Sequence, residues 1–269
     1  MKARAHYLLR EEDDDQVAWE LAAGAGAFLP SSISGVAAWL RLQNATVTGS
    51  GYSSVPDVLS SNPAVQGTDA RRPVNATAAN GLPIATFTDD FLDWPLVNGS
   101  NNQSPAWGLA LWVKCTADGT PRRIWSAMTA QASANRAELN QDTNGARGLH
   151  CDIYINNTST RRGATQTTTT AGGWSFVTVE YDGAQATEAA RCIVTIDGSV
   201  KTLTFSDANG TPGAMPATLV QPTGSVYIGA RDTVPNQPFV GSIGPNIYVL
   251  NRQLTAAERT ALMGFEQPT

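Results

Sequence analysis

The chain has 269 residues, a formal charge of −5 at pH 7, 24 glycines and only 15% charged side chains, against ~25% in an ordinary domain. Its 18 basic residues face 23 acidic ones, which excludes the basic footprint of a nucleic-acid-binding protein. No stretch approaches the ~18 uncharged apolar residues of a membrane-spanning helix, and the Asn, Thr, Ser, Gly and Ala that replace the charges suit a β sandwich with many polar turns.

In chain order, MKARAHYLLREEDDDQ lacks the apolar core of a secretory signal. Cys115, Cys151 and Cys192 are odd in number and widely spaced, the pattern of reduced thiols in a protein made in a cytoplasm. Fifteen arginines to three lysines hint at a GC-rich bacterial or phage genome. Residues 1–30 read as an N-terminal arm. The acidic run Glu11–Asp15 before Val17, Ala18, Trp19 and Leu21 favours a short helix, ended by Gly24, Gly26 and Pro30. Such an arm fits a docking or oligomerisation segment.

From Ser31 onward the signals are those of strands. Val36–Leu42 is a short apolar run, and 43–83 reads as mostly loop because it is dense in Asn, Ser, Gly and Pro. Strands are predicted at 84–87, 109–113, 123–127, 152–155 and 175–181, the last two with period-2 alternation. Between 191–196 and 200–205, Asp197-Gly198 supplies the two residues of a type I′ turn, so a β-hairpin is predicted. Strands at 226–229 and 243–250 follow, then a short helix capped by Thr255 with Glu258 at capping-box spacing. Leu254, Leu262 and Phe265 form its expected buried side, sealing the sandwich together with Ile243, Ile247 and Val249. Many strands, frequent turns and almost no helix predict an all-β, two-sheet antiparallel jelly-roll sandwich over 31–269, with the arm before it and a short C-terminal helix after it.

The second half carries a recognisable pattern: WSFVTVEYDG at 174–183, IVTIDGSVKTLTF, VYIGAR at 226–231, FVGSI at 239–243, and IYVLNRQLTAAERTAL at 247–262. In this it resembles the concanavalin A-like lectin/glucanase superfamily, in particular its laminin-G-like and pentraxin-like branch. VAAWL, NGLPIATFTDDFLDWPL and PAWGLALWVKCTADGTPRRIWSA match the opening strands of that family in order. The resemblance covers roughly 31–265 and implies two curved antiparallel sheets, often with glycan-binding loops at one rim. Fold does not dictate function, so the chemistry has to be sought residue by residue.

Glycosidases of the superfamily alternate acidic residues along one strand, and Glu180 with Asp182 is the near match. Spacing i, i+2 places both carboxylates on one strand face, and retaining hydrolysis needs two carboxyls ~5–5.5 Å apart. Asp182-Gly183, however, falls where the family turns its chain, so a structural role is favoured and no catalytic residue is assigned. Asp89, Asp90 and Asp93 follow the strand IATF and form the candidate metal site, since loop carboxylates can hold Ca²⁺; no other cofactor is implied. His6 and His150 lack a partner at zinc-ligand spacing.

Trp39, Trp112 and Trp174 read as core, and Trp107 as ambiguous. Trp94, beside the acidic loop, is the candidate for stacking on a sugar ring. Arg71-Arg72, Arg122-Arg123 and Arg161-Arg162 could meet acidic glycans through bidentate hydrogen bonds. The favoured recognition loop is YINNTSTRR, offering Tyr154, Asn156, Asn157, Arg161 and Arg162. The leading functional reading is a non-catalytic structural protein of a phage-type virion surface, homo-oligomeric and joined to other virion proteins through residues 1–30. Its lectin-like domain would contact host-surface glycans, with no nucleic-acid or membrane partner. The alternatives are a free carbohydrate-binding protein and a glycoside hydrolase of the same superfamily.

Overall fold

The computed structural model describes residues 28–95, 106–116, 122–128, 136–142, 148–155, 159–165, 172–206, 212–213, 215, 217, 225–231 and 238–269. The arm expected at 1–30 lies outside them except for its last three residues. Two of these pack on the domain: Pro30 is buried, and the Phe28 ring meets Phe265 edge-on with centroids 6.2 Å apart.

The strands in chain order are β1 (Val36–Arg41), β2 (Thr46–Thr48), β3 (Gly51–Val55), β4 (Ala64–Val65), β5 (Val74–Thr77), β6 (Pro83–Phe87), β7 (Leu92–Trp94), β8 (Ala106–Cys115) and β9 (Arg122–Met128). The series continues with β10 (Arg136–Asp142), β11 (Gly148–Ile155), β12 (Ser159–Thr165), β13 (Trp174–Asp182), β14 (Cys192–Ile196), β15 (Ser199–Val200), β16 (Leu203–Ser206), β17 (Val226–Ile228) and β18 (Gly241–Leu250). Two short α-helices, α1 (Glu188–Arg191) and α2 (Ala256–Gly264), and three 3₁₀ turns at Pro30–Ser32, Leu42–Asn44 and Asp69–Arg71 complete the regular structure among the described residues. No helix there is long and apolar enough to cross a membrane.

All named strand pairs are antiparallel and fall into two ladders. The first runs β14–β13–β8–β18, and β18 then pairs with β1 and with β6, which β5 follows. The second runs β4–β7–β17–β9–β10–β11–β12–β16. Strand β3 touches both, pairing with β4 and with β5. The architecture is therefore the expected all-β antiparallel sandwich.

Alternation along each strand builds two apolar layers. Leu109, Leu111 and Val113 of β8, Val177 and Val179 of β13, and Ile243, Ile247 and Val249 of β18 meet Leu92, Trp94, Trp125, Leu139, Val226 and Ile228 of the second ladder. The opposite face of the first ladder carries Trp39, Trp112, Phe176, Tyr248 and Leu250, covered by Leu254 and Leu262 of the closing segment. The closing residues thus split between two layers: Ile243, Ile247 and Val249 enter the inner core, while Leu254, Leu262 and Phe265 cover the outer face. An even spacing along β18 and a helix that crosses over the sheet account for the split.

Region 43–83 is not simply loop, since it contains β2 to β5. These strands have two to five residues; β2 and β5 are largely exposed, and β3 carries its buried Tyr52 and Val55 three positions apart, so none shows an apolar alternation to reveal it. The type I′ turn forms as predicted, with Asp197 at φ 52° and Gly198 at φ 75°. Its hairpin is short: after β15 the chain leaves β14, and β16 joins β12 in the second ladder.

Candidate functional site

The two outer faces of the sandwich differ in chemistry. On the first ladder, Thr178 and Glu180 lie among the covered residues, and Glu180 is fully buried. Arg259 of α2 donates from Nε to Glu180 Oε1 at 2.7 Å and from Nη2 to Oε2 at 2.9 Å. The Leu254 amide donates to Oε2 at 2.7 Å, and Thr178 Oγ1 to Oε1 at 2.8 Å. Asp182 accepts from the Ala184 amide at 2.9 Å and from Gln185 Nε2 at 2.7 Å. The i, i+2 acid pair therefore anchors a helix and shapes a turn.

The second ladder turns a polar row outward. Its Cα partners run Val65, Asp93, Tyr227, Ser126, Glu138, Asp152, Arg162 and Ser206 across eight strands. Directly paired positions share one sheet face. Among the described side chains of this row, Ser126 and Glu138 are fully buried, Tyr227 and Asp93 half-buried, and Val65 exposed. The row thus opens to solvent from its centre toward the β7 edge.

Two arginines flank its buried carboxylate. Arg123 Nε lies 3.2 Å from Glu138 Oε2, and Arg231 Nε 3.6 Å from Oε1. Arg123 reaches this face through a bulge: Leu139 opposes Trp125, Asn140 opposes Arg123, and the extra Ile124 joins Trp125 in the core. Arg231 reaches it through Gly229, whose φ of 90° is open to glycine and whose Cβ would lie 2.3 Å from the Phe87 ring. Burial raises the pKa of Asp93, opposed by a hydrogen bond from the Ser225 side chain. Its Oδ1 is buried with no hydrogen-bond partner among the described residues.

The residues singled out from sequence fare unevenly. Trp94 is fully buried between the sheets and donates from Nε1 to the Asn62 carbonyl at 2.9 Å. This corrects the stacking role: strand alternation sends Trp94 inward and its neighbour Asp93 outward. The candidate metal triad does not converge either. Asp89 is exposed and pairs with Arg71, Asp90 is buried and accepts from the Thr88 amide at 3.0 Å, and Asp93 belongs to the polar row. Among the described residues no group of three or more His, Cys, Asp or Glu could hold a metal ion. Local turn bonding and strand alternation separate the three carboxylates.

Asn156 and Asn157 lie outside the described residues. Tyr154 sits on β11 opposite Thr160, Arg161 opposite Ile153, and Arg162 opposite Asp152. Only the backbone register of Tyr154, Arg161 and Arg162 is described, and their side chains lie outside the described ones. Trp39 and Trp112 are core as expected, Trp174 is half-buried, and Trp107 is buried and stacked on Trp125 with centroids 5.1 Å apart. Ser126, Glu138, Tyr227 and Arg231 escaped the sequence reading. For Glu138 a signal existed: Arg-Ala-Glu-Leu-Asn alternates polar and apolar residues at 136–140.

No family model and no curated protein matches the chain. Solved structures do. Botulinum neurotoxin type C, described as entering cells by interaction with two ganglioside molecules, superposes at a TM-score of 0.60 and 10% identity, over 87% of this chain and 52% of that one. The ligand-binding domain of botulinum neurotoxin serotype D, in complex with N-acetylneuraminic acid, gives 0.58 and 11% over the same shares. Trypanosoma rangeli sialidase gives 0.55 and 17% over 90% of this chain and 34% of that one. The chain thus spans about half of the neurotoxin chains and about a third of the sialidase. At such identities the likeness is one of fold.

Proposed function

We propose that this domain is a non-catalytic carbohydrate-binding module whose ligand lies on the outer face of the second ladder, against Tyr227, Asp93 and Arg231. The observation that carries the reading is the contrast between outer faces. One is sealed by α2, its buried charge paired within the layer, whereas the other is a charged row that opens toward its edge. An aromatic ring, a carboxylate oxygen without a donor among the described residues and a guanidinium are suited to sugar rings and hydroxyls. The fold shared with chains solved with N-acetylneuraminic acid or described with gangliosides supports it.

The non-catalytic part of the proposal rests on the commitment of Glu180 and Asp182 to structural bonds. Placement on a phage-type virion surface, with residues 1–30 joining other virion proteins, belongs to the same proposal and rests on the composition break near Pro30. The laminin-G-like branch rests on the resemblance of residues 174–262.

A glycan array followed by calorimetry on the best ligand tests the module. The wild type should bind, and Tyr227→Ala should weaken binding about tenfold, a loss of ~1.4 kcal/mol, measured below a thermal transition that stays cooperative but falls through the lost edge-on contact with Phe91. Cleavage of any arrayed glycan, read by mass spectrometry, would replace this reading with the hydrolase one. Absence of binding across the array would remove it.

A further inference from the structure

Arg123 and Arg231 share a geometry that the reading above does not use. For both guanidiniums the nearest carboxylate contact is made by the inner nitrogen, Nε, at 3.2 and 3.6 Å from opposite oxygens of Glu138. Glu138 itself is completely shielded from solvent. Neither arginine forms another ion pair or side-chain hydrogen bond among the described residues, and the Arg231 side chain retains 26% exposure. A guanidinium held through Nε still has its terminal nitrogens, and these form the planar fork that matches a carboxylate in two parallel bonds. Two cations share one described carboxylate here, so the local charge among the three groups is +1. The other arginine pairs behave differently. Arg71 and Arg72 are taken up by Asp89 and Asp69, and Arg122 donates to the Pro238 carbonyl at 3.1 Å.

We propose that Glu138 holds Arg123 and Arg231 as a receptor for a carboxylate, and that the ligand of this module is an acidic glycan. The proposal rests on the carbohydrate-binding reading and adds the charge that selects the sugar. Tyr227 and Asp93 contact the neutral part of the ligand, and the exposed end of Arg231 meets its carboxylate first. Because the fork reads two oxygens in one plane, lysine at 231 supplies the charge without the geometry.

The test uses the full chain and glycan pairs that differ only in charge: oligogalacturonates with their methyl esters, and sialylated galactosides with the uncapped galactosides. The wild type should bind the acid of at least one pair and bind its neutral partner about ten- to a hundredfold more weakly. Arg231→Gln should bring the acid down to the level of its neutral partner, and Arg231→Lys should recover only a minor part. Both variants should keep a cooperative thermal transition, because Arg123 remains as a partner of Glu138, with a lower midpoint in Arg231→Gln than in Arg231→Lys, which keeps the charge. Equal binding of acid and neutral forms, or an Arg231→Gln protein with unchanged affinity for the acid, overturns the carboxylate receptor while leaving the carbohydrate module standing. Failure to bind any member of either pair, together with a blank array, overturns both.

Discussion

At the residue scale, a buried charge shows its role through its partners. Glu180 accepts from Arg259, from the Leu254 amide and from Thr178, all in a dry layer. Removing one member of such a pair leaves the other buried without compensation, which costs roughly 3–5 kcal/mol. Glu180→Gln should therefore lower the chemical denaturation midpoint by that order, whereas Asp182→Asn, which keeps an acceptor for the turn amide, should change it by less than about 1 kcal/mol. An unchanged midpoint in Glu180→Gln would show that the bonds to α2 contribute nothing. Asp93 titrates in the opposite sense from a paired carboxylate. Its folded pKa lies above the ordinary 3.8 because burial disfavours the charge. Its stabilising contribution is complete below pH 3.8 and is lost as pH rises through the folded value. Asp93→Asn should thus gain stability relative to wild type at pH 7, and that gain should disappear near pH 3.

At the element scale, α2 illustrates a helix specified locally and stabilised tertiarily. Thr255 caps it, accepting from the Glu258 amide while its own amide donates to Glu258 Oε2 at 2.8 Å. Nine residues are too few for a helix to persist in water alone, and Leu262 supplies the packing, fully buried in the outer layer. Denaturation should rank Leu262→Ala at about 2–4 kcal/mol of lost stability and Thr255→Ala at about 1 kcal/mol. Arg252 beside Glu258 holds its carboxyl at about 2, below the ordinary 4.5. The stabilisation is therefore complete above pH 4.5 and fades as pH falls toward 2. The stability difference between wild type and Glu258→Gln should follow that window, and it should be modest because both side chains are partly exposed.

At the scale of the whole molecule, the sandwich encloses an inner core and seals one outer face, leaving polar chemistry to the other. Deleting residues 1–27 should preserve a cooperative thermal transition, because the ring of Phe28 and the buried Pro30 are retained on the domain. A deletion through residue 30 should lower that transition by removing those contacts. If the arm docks on a partner, the 1–27 deletion should also abolish co-purification with a larger assembly. A truncated chain that fails to fold would place the arm inside the core.

The class of fold, the Asp-Gly turn, the capping box and most long strands were legible in the amino-acid order, because each depends on neighbours within a few residues. Trp39 and Trp112 were legible as core for the same reason: they sit in apolar runs whose period matches a strand. Which face each residue joins, and what stands across from it, follows from the packing of strands distant in the chain. Trp94 and Asp93 look like one site in the sequence and lie on opposite faces of β7. Glu180 looks like half of an acid pair until Arg259, 79 residues later, meets it. The Arg123–Glu138–Arg231 cluster joins residues from 123 to 231 through a bulge, a cross-strand register and a glycine turn. Register between strands is set by long-range packing, and no local pattern encodes it.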